Sequence, residues 1–180
     1  MSQLQEWTLD TIRNDDPMMS WLEERRFDFV PPAQSSIEQM MQGATVILIT
    51  DKERDWFGKY IVQSMNAPSQ TRPLLPLVNI DSLYPHFNLT RGAEGLDMLE
   101  DMLSLSYGEN YFFWYIGKGD DSRADIAKRS DKSMLWVLDE EVQNSFMLHS
   151  FDKLLDIKLL HLYRLFDKTL SSALFGEFEL

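Results

Sequence analysis

The sequence predicts a doubly wound α/β fold, in which a mainly parallel sheet of about five strands is flanked by helices and preceded by a helical amino terminus. After residue 43, short apolar runs rich in β-branched and aromatic residues alternate with segments of helical periodicity. The runs are apolar throughout, which is typical of parallel strands buried on both faces. Strands and helices that alternate in this way form an open sheet with helices on either side.

Five apolar runs are the predicted strands. They lie at 44–49, 74–80, 111–116, 134–138 and 145–148. Helical periodicity between and after them predicts helices at 52–65, 92–106, 122–129 and 151–175. The last of the five strands has the weakest pattern.

The amino-terminal segment is predicted to be helical and interrupted. Two apolar clusters before residue 23 suggest two short helices. Pro31 and Pro32 are expected to end this region, because proline lacks the backbone N–H that a helix interior needs. Ser35 or Ser36 is then expected to cap a further helix that runs to Met41.

The chain is expected to form one domain over 1–180. Its length of 180 residues lies within the usual range of roughly 100–200 for a single domain. Within this domain we expect a helical amino-terminal part at 1–42. The sheet core and the long carboxyl-terminal helix occupy 43–180.

The last predicted helix carries more apolar surface than one sheet requires. Leu155, Leu159, Leu162 and Phe166 form one stripe, and neighbouring leucines widen it to over half of the circumference. A helix on the face of a sheet needs an apolar stripe of only roughly 100°. A second copy of the chain is the simplest cover for the excess, and the amino-terminal helices of the same chain are the alternative.

Charge and composition exclude several classes of function. The chain has 29 acidic and 17 basic residues, a formal charge of −12, and no cysteine. Direct binding to DNA or to an anionic membrane is not expected, because both need clustered Lys and Arg. The lack of cysteine removes thiolate zinc sites and thiol nucleophiles. The amino terminus has no signal-peptide pattern, and no apolar run approaches the ~20 residues of a spanning helix, so we expect a cytoplasmic protein.

The loop after the first strand is a poor phosphate site. Ligands of open α/β sheets bind beyond the carboxyl ends of the strands. Here that position carries Thr50-Asp51-Lys52-Glu53-Arg54-Asp55, without a glycine and with three carboxylates. A phosphate needs a glycine-bearing loop and positive charge, whereas Thr50 or Asp51 is a good helix cap. Helix capping is enough to explain the residues found in this loop.

The loop 117–122 is the best candidate for a phosphate. It contains Gly117 and Gly119 and opens a predicted helix, and Lys118 and Ser122 could serve an anion. Asp120 and Asp121 would oppose the same anion. A tight turn followed by an aspartate cap is the alternative interpretation.

The sequence gives little support for two further kinds of site, a magnesium pocket and an anion site assisted by histidine. Asp51, Asp81 and Asp139 follow or flank strand ends and could form an acidic pocket for magnesium, although the lysine of receiver-like domains is missing. His149 could assist the loop 117–122, but the three histidines of the chain have no paired ligand spacing. No G-x-S-x-G motif is present. We therefore expect no catalytic residue, cofactor or metal site.

Four stretches of the sequence resemble the HobA family. They are ILITDKERDWFGKYIV, FFWYIGK, SMLWVLDEE and the segment from Phe151 to the end. This family is similar to DiaA and to the sugar-isomerase (SIS) fold of phosphosugar-binding proteins. The likeness covers about half of the chain, and it rests on a pattern that contains no catalytic motif.

The resemblance implies a non-enzymatic adaptor that forms a homotetramer. Such an adaptor binds the amino-terminal domain of the replication initiator DnaA, promotes its assembly at the chromosomal origin, and reaches DNA only through DnaA. Its tail resembles the DiaA carboxyl terminus, which would place a partner contact on Leu174 and Phe175, with Trp56 and Arg54 as further candidates. A helix end packed into the core is the alternative for the tail. A phosphosugar-binding enzyme or sensor that uses 117–122 is the alternative function.

Overall fold

The computed structural model describes residues 2–180, which form five strands and seven α-helices. The strands are β1 (Thr45–Thr50), β2 (Leu77–Asn79), β3 (Tyr111–Lys118), β4 (Met134–Leu138) and β5 (Ser145–Leu148). The helices are α1 (Gln3–Asp15), α2 (Leu22–Met41), α3 (Asp55–Met65), α4 (Ile80–Leu83), α5 (Gly92–Tyr107), α6 (Asp125–Lys128) and α7 (Leu155–Leu174). Short 3₁₀ turns at Lys52–Arg54 and Ser122–Ala124 lead into α3 and α6.

The five strands form one parallel sheet in the order β2-β1-β3-β4-β5. The predicted doubly wound fold is therefore confirmed. Because β1 lies between β2 and β3, the chain leaves β1 toward one edge of the sheet and later returns to its other side. The carboxyl ends of β1 and β3 meet at this reversal, where Thr50 is paired with Ile116. Open sheets bind ligands at such a point.

The sheet separates two apolar cores, one on each of its faces. Val46 and Leu48 of β1 face the core that α1, α2, α3 and α7 cover. Ile47 and Ile49 face the core under α4, α5 and α6. Successive strand residues point to opposite faces, so an unbroken apolar strand supplies both cores at once.

The apolar excess of α7 is covered by helices of the same chain. Its aromatic residue Phe166 packs on Trp114 of β3, with ring centroids 5.0 Å apart. On its flank, Trp21 beside α2 donates from Nε1 to Nδ1 of His161 at 3.5 Å. Leu4 and Ile12 of α1 belong to the same core. The amino-terminal helices α1 and α2 thus cover most of this surface, as the alternative predicted, while Leu154 and Ile157 at its start remain exposed.

Pro31 and Pro32 do not end the amino-terminal helical region. They lie inside α2, which continues from Leu22 to Met41, so the predicted break and the cap at Ser35 or Ser36 are wrong. Burial of Phe29 and Val30 before the prolines, and of Ala33 and further residues after them, holds both halves on one core. Packing of an apolar face outweighs the loss of two backbone hydrogen bonds.

Other predicted elements are present with shorter bounds. The strand predicted at 74–80 is reduced to β2, since Pro76 precedes it and Asn79 caps the next helix by accepting from the backbone N–H of Asp81. The helix predicted from residue 151 begins at Leu155, after a turn that leaves Phe151 exposed. No helix within 2–180 has both the length and the apolar character needed to cross a membrane.

Candidate functional site

A cavity of about 450 Å³ lies at the reversal point of the sheet, where this fold would hold a ligand. Its walls include Thr50 and Asp51 after β1, Asp81 of α4, Asn88, and Arg123 from the turn before α6. The residues are polar and charged. Their hydrogen bonds show which of them already have partners within the chain.

Asp51 and Arg54 satisfy each other in the interior. Asp51 caps the turn before α3 by accepting from the backbone N–H of Arg54 at 3.0 Å. Its carboxylate also accepts from Nε of Arg54 at 2.7 Å and from Nη2 of the same guanidinium. Both side chains are almost fully buried. Burial by itself lowers the pKa of Arg54, but the hydrogen bond and charge of Asp51 outweigh it and raise that pKa, so the guanidinium stays charged.

The carboxylate of Asp51 occupies the position that an anion would take at the start of a helix. It accepts a fourth hydrogen bond from the backbone N–H of Lys118 at 2.8 Å. A β-carbon on Gly117 would lie 2.7 Å from the Oδ2 atom of Asp51, so only glycine fits there. The glycine that looks like part of a phosphate loop thus makes room for a side chain of the chain itself.

The rest of the loop 117–122 is also engaged internally. The Nζ atom of Lys118 lies 3.2 Å from Glu53, and the backbone N–H of Gly119 donates to Leu138 at 3.0 Å. A β-carbon on Gly119 would clash with Glu140, which accepts from Lys128 at 2.7 Å. Ser122 is exposed. The alternative of a tight turn describes this loop, and the loop offers no cradle of free N–H groups for a phosphate.

Arg123 is the residue at this edge that the sequence did not reveal. Its guanidinium is buried, donates to the carbonyl of Thr50 at 2.7 Å and to Asp81 at 2.6 Å, and lies 4.7 Å from the ring centre of Phe87. It also donates to the side chain of Asn88. The only signal in the sequence is an arginine next to the capping Asp121, which does not tell what the arginine will contact.

The proposed acidic pocket is not assembled. Asp51 binds Arg54, Asp81 binds Arg123, and Asp139 accepts from the backbone N–H of Ser150 at 2.8 Å. Hydrogen bonds from the side chain and then the backbone of Ser150 lower the pKa of Asp139. Within residues 2–180, no three His, Asp or Glu side chains lie close enough together to hold a metal ion. His149 stacks on Phe151 with centroids 5.0 Å apart. The structure therefore brings together none of these alternative ligand sets.

The carboxyl-terminal candidates lie at the end of α7. Phe175 is 57% exposed, whereas Leu174 is half-buried against the core. The helix ends in a Schellman motif, in which Gly176, at φ 72°, donates to Ala173 at 3.0 Å and Glu177 donates to Ser172 at 2.9 Å. This geometry directs Phe175 outward. The alternative of a tail packed into the core applies to Leu174 and to Phe178, which packs on Trp7.

The other two candidates differ from each other. Trp56, in the first turn of α3, is 41% exposed and rests on the buried ring of Phe57, with centroids 5.4 Å apart. Arg54 is buried and engaged by Asp51. Tyr60, one turn after Trp56, is also exposed and meets Tyr163 of α7 at 5.6 Å. Tyr60 was missed by the sequence, although its spacing of four residues from Trp56 puts both rings on one face of the helix.

The four predicted contact residues form two groups. Helices α3 and α7 both run from the carboxyl edge of the sheet toward its amino edge, and the contact between Tyr60 and Tyr163 fixes their alignment. At about 1.5 Å per helical residue, Trp56 and Phe175 are roughly 25 Å apart along the helices. The exposed part of α7 between them carries Arg164 and Lys168.

Comparison with known proteins identifies the family. The model of a family described as HobA, DNA replication regulator, matches residues 1–180. The DNA replication regulator protein HobA of Helicobacter pylori is 27% identical over 185 residues, which is 98% of each chain. A crystal structure of a HobA-DnaA (domain I-II) complex from Helicobacter pylori matches with a TM-score of 0.77 at 26% identity and covers 100% of both chains. A structure of HobA from the same organism matches with a TM-score of 0.77 at 25% identity, over 100% of this chain and 99% of the other.

These matches extend over the whole chain, including the amino-terminal region and the segment before β3, where the resemblance in sequence is weakest. They also agree with the sheet and with the helices that flank it. The resemblance noted in the sequence is thereby confirmed, and the chain belongs to the HobA family of DNA replication regulators.

Proposed function

We propose that this chain is a non-enzymatic cytoplasmic adaptor, acting as one domain over 1–180, that binds the amino-terminal domain of the initiator DnaA. A homotetramer of the chain collects several initiator molecules and promotes their assembly at the chromosomal origin. The single observation that carries the proposal is the match of the whole chain to a HobA-DnaA (domain I-II) complex. Collection of several copies raises their effective concentration and requires no chemistry from the scaffold.

The carboxyl edge of the sheet, where this fold would hold a ligand, contains ion pairs formed within the chain, and this supports a non-enzymatic role. A phosphosugar enzyme would need cations and N–H groups aimed at an empty site, but Asp51 and Asp81 engage Arg54 and Arg123 at that edge. A phosphate would have to displace a buried carboxylate from four N–H donors. Breaking a buried ion pair costs about 3–5 kcal/mol, which a weakly held sugar phosphate does not recover.

The outer surface of α3 and α7 supports partner binding, and we call it the α3–α7 surface. It consists of Trp56, Tyr60, Arg164, Lys168 and Phe175. Aromatic and arginine side chains carry much of the energy of protein interfaces. A standard interface buries about 800 Å² on each partner, an area roughly 30 Å across, so one small domain can contact both Trp56 and Phe175. Arg54 supports this surface from below by fixing the start of α3.

Self-association is supported by apolar groups that the monomer leaves on other faces. Met18, in the turn before α2, and Phe27 of α2 are each more than half exposed, and so is Phe151 before α7. Large apolar side chains that a monomer leaves exposed are candidates for contacts between copies. Leu154 and Ile157, which α1 and α2 leave exposed at the start of α7, are further apolar positions for contacts between copies.

Calorimetric titration of the amino-terminal fragment of DnaA into the chain tests the partner. We expect binding with a dissociation constant below tens of micromolar, which corresponds to roughly −6 kcal/mol or better. Sedimentation velocity of the free chain tests the tetramer separately. An absence of heat at tens of micromolar would contradict the partner, and a monomeric sedimentation coefficient would contradict the tetramer.

A further inference from the structure

A second apolar surface lies on the opposite side of the sheet from the α3–α7 surface. It is a groove of about 470 Å³ between α5 and the segment before it. Met98 and Met102 of α5 form one wall, and Leu89 forms the other, with Leu99 at the base. Leu99 belongs to the core under α4, α5 and α6, so this groove shares no wall with α3 or α7. We call it the α5 groove.

The exposed apolar residues of α5 follow helical spacing. Met98 is 68% exposed and Leu105 is 90% exposed, and Met102 lies between them. Residues separated by three, four and seven positions lie along one face of a helix. The three side chains therefore form a continuous ridge of about 10 Å along α5, at 1.5 Å per residue. No described helix or strand of residues 2–180 covers this ridge.

The charge along α5 is entirely negative. Residues 92–109 contain Glu94, Asp97, Glu100, Asp101 and Glu109, and no Lys or Arg. Arg129 lies 2.5 Å from Asp97 and 3.7 Å from Glu100.

Two carboxylates remain for a partner. Within residues 2–180, Glu94 and Asp101 have no ion pair, and both are exposed. They lie on α5 beside the apolar ridge, because Glu94 precedes Met98 by four residues and Asp101 follows Met98 by three. The lining of the groove itself includes one charged side chain, that of Arg91 at the start of α5, whose guanidinium donates to the carbonyl of Thr90 at 2.7 Å.

We infer that the α5 groove binds a basic amphipathic helix of another protein. The apolar face of that helix lies on Met98, Met102 and Leu89, and lysine or arginine on one flank meets Glu94 and Asp101. Methionine suits this role because its flexible, polarizable side chain adapts to different apolar partners. An amphipathic helix in an apolar groove with charged rims is a common mode of recognition.

Charge selects this occupant over a second copy of the chain. A symmetric contact between two copies would place the same patch on both sides, so acidic residues would face acidic residues. Each chain also carries a formal charge of −12. Like charges opposed across an interface cost free energy, whereas a basic helix gains it. The inference does not rest on the proposed function, since the two surfaces use different elements and different faces of the sheet.

Fluorescence anisotropy with a labelled synthetic helix tests the inference. The probe is a leucine–lysine peptide with all leucines on one face, and its control has the same composition with leucines distributed around the helix. We expect the amphipathic probe to bind the full chain at least about tenfold more tightly than its control. Absence of binding, or equal binding of the two peptides, would overturn the inference.

Two matched variants separate apolar contact from general attraction between opposite charges. Met98→Glu places a charge in the groove, and Leu74→Glu makes the same charge change at a residue that is 79% exposed and outside the groove. Added negative charge strengthens unspecific binding of a basic peptide, so attraction alone predicts no loss in either variant. We expect Met98→Glu to weaken binding at least about tenfold and Leu74→Glu to leave it unchanged.

Two results with these variants would overturn the inference. The first is equal binding of the amphipathic probe by Met98→Glu and Leu74→Glu. The second is a smaller sedimentation coefficient for Met98→Glu than for wild type, which would assign the groove to a contact between copies. Leu105→Glu repeats the test at a side chain that is almost fully exposed, and its substitution does not disturb the core.

Discussion

The loop edge of the sheet, by which we mean the loops that follow β1 and β3 at its carboxyl end, differs from the α3–α7 surface in where its side chains find partners. At the loop edge, Asp51, Arg54 and Arg123 are buried and satisfied by one another or by nearby backbone. On the α3–α7 surface, Trp56 and Phe175 remain exposed although they are large and apolar. The difference teaches that the part of this fold that usually holds a ligand has become structural, while an outer face without catalytic groups remains available for a partner.

Removal of Asp51 is expected to have the largest effect on stability. Asp51→Ala leaves the buried guanidinium of Arg54 without its carboxylate and removes the cap of the turn before α3, so the free energy of unfolding should fall by about 3–5 kcal/mol. Urea denaturation measures it. Asp55→Ala, which removes an exposed ion pair with Lys59 in the same helix, is the control and should leave stability near wild type. Equal stability of the two variants would show that the pair is not structural.

The sequence predicted the sheet because unbroken apolar runs are needed by strands that serve two cores. It also predicted Asp51 as a cap, which the hydrogen bond to Arg54 confirms. It failed at Pro31 and Pro32, where packing of residues distant in sequence overrides a local rule. Local sequence patterns predict helices and strands reliably, but they do not predict the positions where tertiary contacts override the local preference.

The loop 117–122 could not be interpreted from the sequence for a related reason. Glycine there is compatible with a phosphate or with a close side chain, and only the fold shows that Asp51 lies beside Gly117 and Glu140 beside Gly119. Arg123 was missed because its partners are contributed by distant segments. The pairing of buried charges is a property of the assembled sheet.

Truncation of Phe175 is expected to have the second largest effect, on binding and not on folding. Phe175→Ala should weaken binding of the DnaA amino-terminal fragment at least about tenfold, or about 1.4 kcal/mol, because an exposed aromatic anchor is lost. Its unfolding free energy should change by less than about 1 kcal/mol, since the side chain is mostly exposed. Leu74→Ala removes an exposed apolar side chain that belongs neither to the α3–α7 surface nor to the groups proposed for self-association, and it serves as the control. Equal losses in both variants would contradict a role specific to Phe175.

The buried side of α7 should make the stability of the chain depend on pH through His161. Burial lowers the pKa of His161 from its usual 6.5. The charge of Asp16 raises this pKa and the charge of Arg164 lowers it, each by less than burial does. The unfolded chain therefore binds the proton more readily, and this part of the stability is present above pH 6.5 and is lost as pH falls below it. His161→Gln should show a smaller loss between pH 7 and pH 5 in urea denaturation. An unchanged pH profile in the variant would exclude His161 as a source.

Sugar phosphates are expected to have the smallest effect. The loop 117–122 is held by Glu53, Leu138 and Glu140, so a thermal-shift panel should show no stabilisation of wild type. A true ligand at 100 times its dissociation constant would add about 2.7 kcal/mol. Stabilisation of wild type that disappears in a Lys118→Ala, Ser122→Ala double variant would revive the phosphosugar alternative.

The most direct test titrates the DnaA amino-terminal fragment into three proteins in parallel by calorimetry. They are wild type, Phe175→Ala, and the Lys118→Ala, Ser122→Ala double variant. If the α3–α7 surface carries the function and the loop edge is structural, wild type and the double variant bind equally, and Phe175→Ala binds at least about tenfold more weakly. Loss of binding in the double variant with full binding by Phe175→Ala, or no binding by wild type, would contradict this account.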